Sequence, residues 1–197
     1  MGENNIHPSA TISDSAIIEG NDITISEGVQ IGDNVRICAS IIWLGLGVKI
    51  KDNVKMGQDG CNEGTEIIIG DNTIINQDVR ASVPTFSIGD YGIIHEKVVF
   101  YGNEECTIGH NCWIGQWSIF NTKDKLIIGN NFRFGLHSQV WTHVASGELI
   151  EGCKLYKVAP TTIGDDVWFL GGHHIVPAGI TVSNRTTVFP GAMLTKD

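Results

Sequence analysis

One short motif recurs nine times along the chain: an aliphatic residue, a small or polar residue, Asp or Asn, a polar residue, then a small or aliphatic one. It reads Ile12-Ser-Asp-Ser-Ala16, Ile31-Gly-Asp-Asn-Val35, Ile50-Lys-Asp-Asn-Val54, Ile69-Gly-Asp-Asn-Thr73 and Ile88-Gly-Asp-Tyr-Gly92. It continues as Ile108-Gly-His-Asn-Cys112, Ile128-Gly-Asn-Asn-Phe132, Ile163-Gly-Asp-Asp-Val167 and Val182-Ser-Asn-Arg-Thr186. The intervals between first positions are 19, 19, 19, 19, 20, 20, 35 and 19 residues. A second apolar residue stands six positions after each start: Ile18, Ile37, Met56, Ile75, Ile94, Ile114, Phe134, Phe169 and Val188.

A six-residue sub-period inside a coil of about 19 implies three short faces per coil, each with an inward side chain above its equivalent in the next coil. No coil buries its apolar residues alone, but coils one strand separation apart, about 4.8 Å, share a continuous core. The expected architecture is an all-β solenoid of about nine coils, with Ile31, Ile69, Ile108, Ile128 and Ile163 in one interior column. Gly-Asp and Asp-Asn pairs suit its corners, where positive φ and side-chain to backbone hydrogen bonds are needed. An ordinary β-sandwich, with turn signals every 8 to 12 residues, does not produce nine motifs in near-constant register.

At 197 residues and 42% hydrophobic content, residues 1–197 are read as a single domain with a sizeable core. Only 18% of residues are charged and 24 are Gly, which suits turns and strands rather than long helices or a disordered chain. A net charge of −9 and a pI near 5.1 argue against nucleic-acid and anionic-membrane partners, both of which need clustered cations. The N-terminal stretch lacks the charged and apolar regions of a signal peptide, so a cytoplasmic location is expected. Cys38, Cys61, Cys106, Cys112 and Cys153 are irregularly spaced without a C-x-x-C pair and are read as reduced thiols.

The repeated runs resemble those of the hexapeptide-repeat acyltransferases. The resemblance implies a left-handed parallel β-helix and a homotrimer with active sites in clefts between subunits. The stretch Thr142-His143-Val144-Ala145-Ser146-Gly147-Glu148-Leu149, then Tyr156 and Thr162-Ile163-Gly164-Asp165-Asp166-Val167-Trp168, is similar to the galactoside, maltose and related sugar O-acetyltransferases. Those enzymes carry a His at the start of an extended loop, followed by an I-G-x-x-V-W coil. Here the single 35-residue interval places an excursion near residues 143–157. The closing segment Val188-Phe-Pro-Gly-Ala-Met-Leu-Thr-Lys-Asp197 is also similar to the family's.

This resemblance implies acetyl-coenzyme A as acyl donor, no metal, and a small sugar-like acceptor, such as a sugar or nucleotide-sugar of surface-glycan (polysaccharide) synthesis. His143 becomes the candidate general base, since neutral imidazole can take the acceptor's proton near pH 7. Trp168, Gly171, Gly172, Thr195 and Lys196 become candidate coenzyme A contacts. The glycines would offer backbone N–H groups to the thioester oxyanion, and Lys196 a point charge to phosphate. The same residues equally suit packing: glycines at corners, an isolated Trp on a face, a Lys in an exposed tail. One extra residue in Trp168-Phe-Leu-Gly-Gly-His-His174 shifts the glycine matches by a position. His137 reads as a surface His, and Trp43, Trp113, Trp117 and Trp141 as cover for faces or a trimer contact.

Two other functions remain open. One is a non-catalytic β-helical scaffold that assembles through its faces. The other is a zinc-dependent lyase resembling the β-helical carbonic anhydrases, suggested by His95, His110 and His173-His174 but lacking a His-x4-His spacing. Fold and function are separable, so the repeat alone does not choose among them.

Overall fold

The structure, a computed structural model, describes residues 4–57, 63–146, 152 and 155–195. Three parallel sheets form the walls of a prism. The first sheet has nine strands from Asn4–Ile6 to Thr181–Val182, and the second has nine from Thr11–Ile12 to Thr187–Val188. The third has eight strands, from Ile17–Glu19 to Ile175–Val176, and is extended by a bridge from Ile175 to Met193. Successive strands visit the three walls in turn, so the chain is a parallel β-helix of nine coils, about 40 Å long. The three-walled coil is consistent with the left-handed form. No helix occurs among the described residues, and none is long and apolar enough to cross a membrane.

Strand residues alternate inward and outward, and one contiguous apolar core runs from Ile23 to Val188. On the first wall Ile69, Ile88, Ile108, Ile128, Ile163 and Val182 stack in register. Ile31 does not join them. It belongs to the second wall, between Ile12 and Ile50, in a column that continues through Ile75, Ile94, Ile114, Phe134, Phe169 and Val188.

The cause of this shift is an added length of chain between the strands Lys55–Gly57 and Glu66–Ile69. From Leu44 to its partner Ile69 the coil takes 69 − 44 = 25 residues, six more than the usual 19. Six residues equal one face, so the motif interval stays at 19 while the motif moves from one corner of the prism to the next.

The same motif serves both corners because its chemistry is local. The fourth residue adopts left-handed φ at Asn34, Asn53, Asn72, Asn111 and Asn131, and the third accepts a backbone N–H from the preceding coil. Asp90 Oδ1 accepts from Asp71 N at 2.8 Å, Asn130 Oδ1 from His110 N at 2.9 Å, and Asn184 Oδ1 from Asp165 N at 2.9 Å. The motif glycine makes room for that side chain: a Cβ on Gly129 would sit 2.6 Å from Asp165 Oδ1.

In the middle coils the core is aromatic. Phe100 stacks on Phe120 at 4.7 Å between centroids, Phe86 meets Phe100 at 5.0 Å, and Phe134 meets Phe120 at 5.2 Å and Phe169 at 5.1 Å. Buried Cys106 and Cys112 carry free thiols, and desolvation raises both pKa values, that of Cys112 to about 11. Cys38 departs from the expected reduced state, because it is disulfide-bonded. Disulfide pairing depends on which coils meet, which Cys spacing does not reveal. Cys61 and Cys153 lie outside the described residues.

His174 is fully buried near the last coils. Its Nε2 bonds the Leu170 carbonyl at 2.8 Å, while Nδ1 has no partner. Desolvation, with a smaller contribution from neighbouring His173, lowers its pKa below 6.5, partly offset by the bond to Leu170. The unfolded chain therefore binds a proton at His174 more readily than the native one, so acid disfavours the fold. Stability should fall as pH drops below about 6.5, and thermal unfolding between pH 7.5 and 5 should show a smaller fall in His174→Gln. Phe120→Ala should lower stability by about 3–5 kcal/mol in urea unfolding, while the exposed Ile127→Thr stays within about 0.5 kcal/mol.

Candidate active site

After the strand Gln139–Val140 on the third wall, the chain reaches buried Thr142 and leaves the prism. Thr142 Oγ1 bonds the Asn121 carbonyl at 3.1 Å and accepts Asp124 N–H at 2.9 Å, tying this corner to the coil before it. The excursion is an antiparallel hairpin of His143–Ser146 with Leu155–Val158. Its root is closed by Ala159 N–H to Thr142 O at 3.0 Å. This matches the excursion expected near 143–157; the part of it at Gly147, Glu148, Leu149 and Cys153 lies outside the described residues. His143 is the first residue of the hairpin, held by the solenoid on one side and by pairing with Val158 on the other.

The His143 imidazole is oriented by Asn121, a side chain the sequence reading did not single out. Asn121 is buried, 3% exposed, in the strand Ile119–Thr122 one coil earlier. Its Nδ2 donates to the Tyr101 carbonyl at 3.3 Å, so its Oδ1 is the atom facing His143 Nδ1 at 2.7 Å. A carbonyl oxygen only accepts, so Nδ1 carries the hydrogen and Nε2 keeps its lone pair in the neutral ring. That assignment follows from the hydrogen-bond network.

His143 lines a cleft of about 360 Å³ walled by Trp141, Val144, Ala145, Ile175, Pro177 and Met193. The Trp141 ring packs edge-on against His143 at 5.7 Å and is anchored by Nε1–H to Gln139 Oε1 at 3.0 Å. A base with a free lone pair in a largely apolar cleft is suited to taking a proton from a hydroxyl or ammonium group.

The other candidates lie at different places on the prism. Trp168 opens the strand Trp168–Gly172 on the second wall, faces outward and bonds the Asn131 carbonyl through Nε1 at 3.2 Å. Gly171 and Gly172 end that strand at a β-bulge, where Phe134 pairs Phe169 but Leu136 pairs Gly172. The bulge absorbs the extra residue seen in the sequence. Both glycines have packing reasons to be glycine: a Cβ on Gly172 would collide with the Leu136 carbonyl, and one on Gly171, at φ +74°, would sit 2.8 Å from Pro190 Cγ. Exposed Thr195 follows Met193, a wall of the His143 cleft, by two residues. Lys196 lies outside the described residues.

The remaining histidines are placed apart. His95 packs on Trp113 at 4.7 Å, His110 Nδ1 accepts Asp90 N–H at 3.0 Å, and His173 stacks on His137, which stacks on Trp117. Among the described residues no three or more His, Cys, Asp or Glu side chains converge as metal ligands.

The sequence matches no protein-family model and no curated protein. Similar solved structures include LpxA from Acinetobacter baumannii, 17% identical over 89% of this chain and 68% of that one, with a TM-score of 0.31. Another is UDP-N-acetylglucosamine acyltransferase from Campylobacter jejuni, 12% identical over 98% and 72%, TM-score 0.33. A third is a hexapeptide transferase family protein from Anaplasma phagocytophilum, 15% identical over 93% and 72%, TM-score 0.21. At these values the likeness carries no argument about activity. The class that this chain's own register defines is a hexapeptide-repeat parallel β-solenoid.

The Asn121 contact makes a checkable statement about the free protein. Nitrogen-15 NMR of neutral His143 should show a protonated Nδ1 and an unprotonated Nε2. In Asn121→Leu, with the acceptor gone, the two tautomers should mix.

Proposed function

We propose that the protein is an acyltransferase that moves an acetyl group from acetyl-coenzyme A to a hydroxyl or amine of a small sugar-like acceptor, such as a nucleotide-sugar used in surface-glycan synthesis. The observation that carries this reading is the Asn121–His143 contact, which leaves Nε2 without a partner among the described residues, in an apolar cleft at a hairpin root. The acetyl donor, the acceptor class and a homotrimeric assembly rest on the sequence resemblance to the sugar O-acetyltransferases.

In this mechanism His143 Nε2 removes the proton as the acceptor oxygen or nitrogen attacks the thioester carbonyl. The new bond to carbon forms as the carbonyl π pair moves onto oxygen, and backbone N–H groups near Gly171 or Gly172, from the same or a neighbouring subunit, stabilise that oxyanion. Collapse breaks the carbon–sulfur bond, and the imidazolium returns its proton to the departing thiolate. The Asn121 oxygen faces Nδ1–H throughout, stabilising the transient imidazolium without titrating itself. Thr195 and Lys196 serve the pantetheine and phosphate arm of the donor.

Turnover of acetyl-coenzyme A against a panel of sugars and amines tests the reading. His143→Ala should cost on the order of 10² to 10⁴ in turnover with little change in coenzyme A binding. Lys196→Ala should weaken coenzyme A binding and leave turnover nearly intact at saturating donor. Full turnover in His143→Ala would remove the general-base assignment, and absence of coenzyme A binding in the parent protein would put the scaffold reading first.

A further inference from the structure

On the third wall, Arg36, Lys55 and Arg80 occupy the same outward register position in coils two, three and four. All three side chains are exposed, and neighbouring rungs are about 4.8 Å apart. Like charges directly opposite one another on adjacent strands destabilise a sheet. The chain has 22 acidic residues against 13 basic ones, yet among the described residues this column has a single ion pair. Glu19, 3.6 Å from Arg36, is the one carboxylate within ion-pair distance of the three among the described residues. The column also has a sharp end: the next two positions in register are Val99 and Ile119.

The cations border a groove of about 340 Å³ whose other walls include Cys38, Gly57 and Ser82. Gly57 lies so close to the neighbouring strand that a Cβ there would collide with the Cys38 carbonyl. Next to the column, Lys97 places its ammonium 4.3 Å from the centroid of the Trp117 ring and is engaged there. Among the described residues the run of cations is thus three side chains long, about 10 Å from the first rung to the last, with Arg36 shared with Glu19.

We propose that this column is a binding site for a short chain of linked phosphates, separate from the His143 cleft. A single anion meets two rungs at most, whereas two or three linked phosphates present one negative group to each successive rung and remove the like-charge repulsion. An extended polyanion suits the site poorly, since beyond the three rungs it would cross a surface of net negative charge. Inorganic tripolyphosphate and the phosphate arm of a nucleotide share the required chemistry. Lys55 and Arg80 supply most of the binding, because Arg36 is shared with Glu19.

Titration calorimetry of the full chain with sodium tripolyphosphate tests the proposal. One tripolyphosphate should bind per chain, and Lys55→Gln and Arg80→Gln should each weaken it by about tenfold or more. Orthophosphate should bind far more weakly. A nucleoside triphosphate binding as tightly as tripolyphosphate or more tightly, with the same dependence on Lys55 and Arg80, supports the proposal and points to a nucleotide as source. Tripolyphosphate binding with a weak nucleotide supports it with the inorganic chain as source. Failure to bind tripolyphosphate, equal affinity for orthophosphate, or full binding in the double variant would overturn it. Both substitutions are on exposed side chains and relieve repulsion, so thermal unfolding should show both variants folded and at least as stable as the parent. Unchanged binding in His143→Ala keeps this result independent of the acyltransfer reading.

Discussion

Everything in this molecule hangs on the in-register stacking of inward side chains between coils. A strand contributes at most three buried side chains to its wall and pairs with no other strand of its own coil, so a coil's stability comes from the coils above and below. Stacking sets the spacing of the outward residues as strictly as that of the inward ones. A column of cations on the third wall and a column of isoleucines behind the first are two products of one registration. The corner motif sustains it: a carboxylate or amide oxygen from one coil caps a backbone N–H of the coil before, and a glycine there makes the space.

That dependence also explains which features are legible in the sequence. The periodicity, the nine coils and the excursion near residues 143–157 are visible because each leaves a mark on residue spacing; that the excursion is a hairpin is seen only in the pairing of its strands. The displacement of Ile31 from the Ile69 column is not, since an insertion of one face length leaves the motif interval at 19. The extra residue in Trp168–Gly172 is countable, but its resolution as a bulge against Leu136 requires the facing strand. Asn121 stands 22 residues before His143, in a run, Ile119-Phe-Asn-Thr122, with no motif of its own. Its meaning comes only from the coil above it, and the signal that could have found it is a buried-type position occupied by an amide one coil before a loop histidine.

The candidate site also shows how a regular scaffold acquires chemistry. Ordinary corners such as those at Asp52, Asp90, Asn130 and Asn184 use a side-chain oxygen to cap a backbone N–H of the coil before. At Thr142 the corner is kept, but the chain after it is sent outward, and the imidazole at that exit is fixed by an amide whose other end is fixed by the solenoid backbone. The precision of the site is that of the walls, although His143 itself belongs to the excursion.

The six-residue insertion after Gly57 has a meaning of a different kind. A solenoid with three equivalent walls behaves like a text read in frames of six: adding a whole frame rotates every later word by a third of a turn without misspelling any of them. Coils one to three and coils four to nine are therefore two passages in different phases, joined at one seam. Such a chain can be lengthened, shortened or spliced at a corner, and which outward residues then share a wall is decided by the phase of the splice.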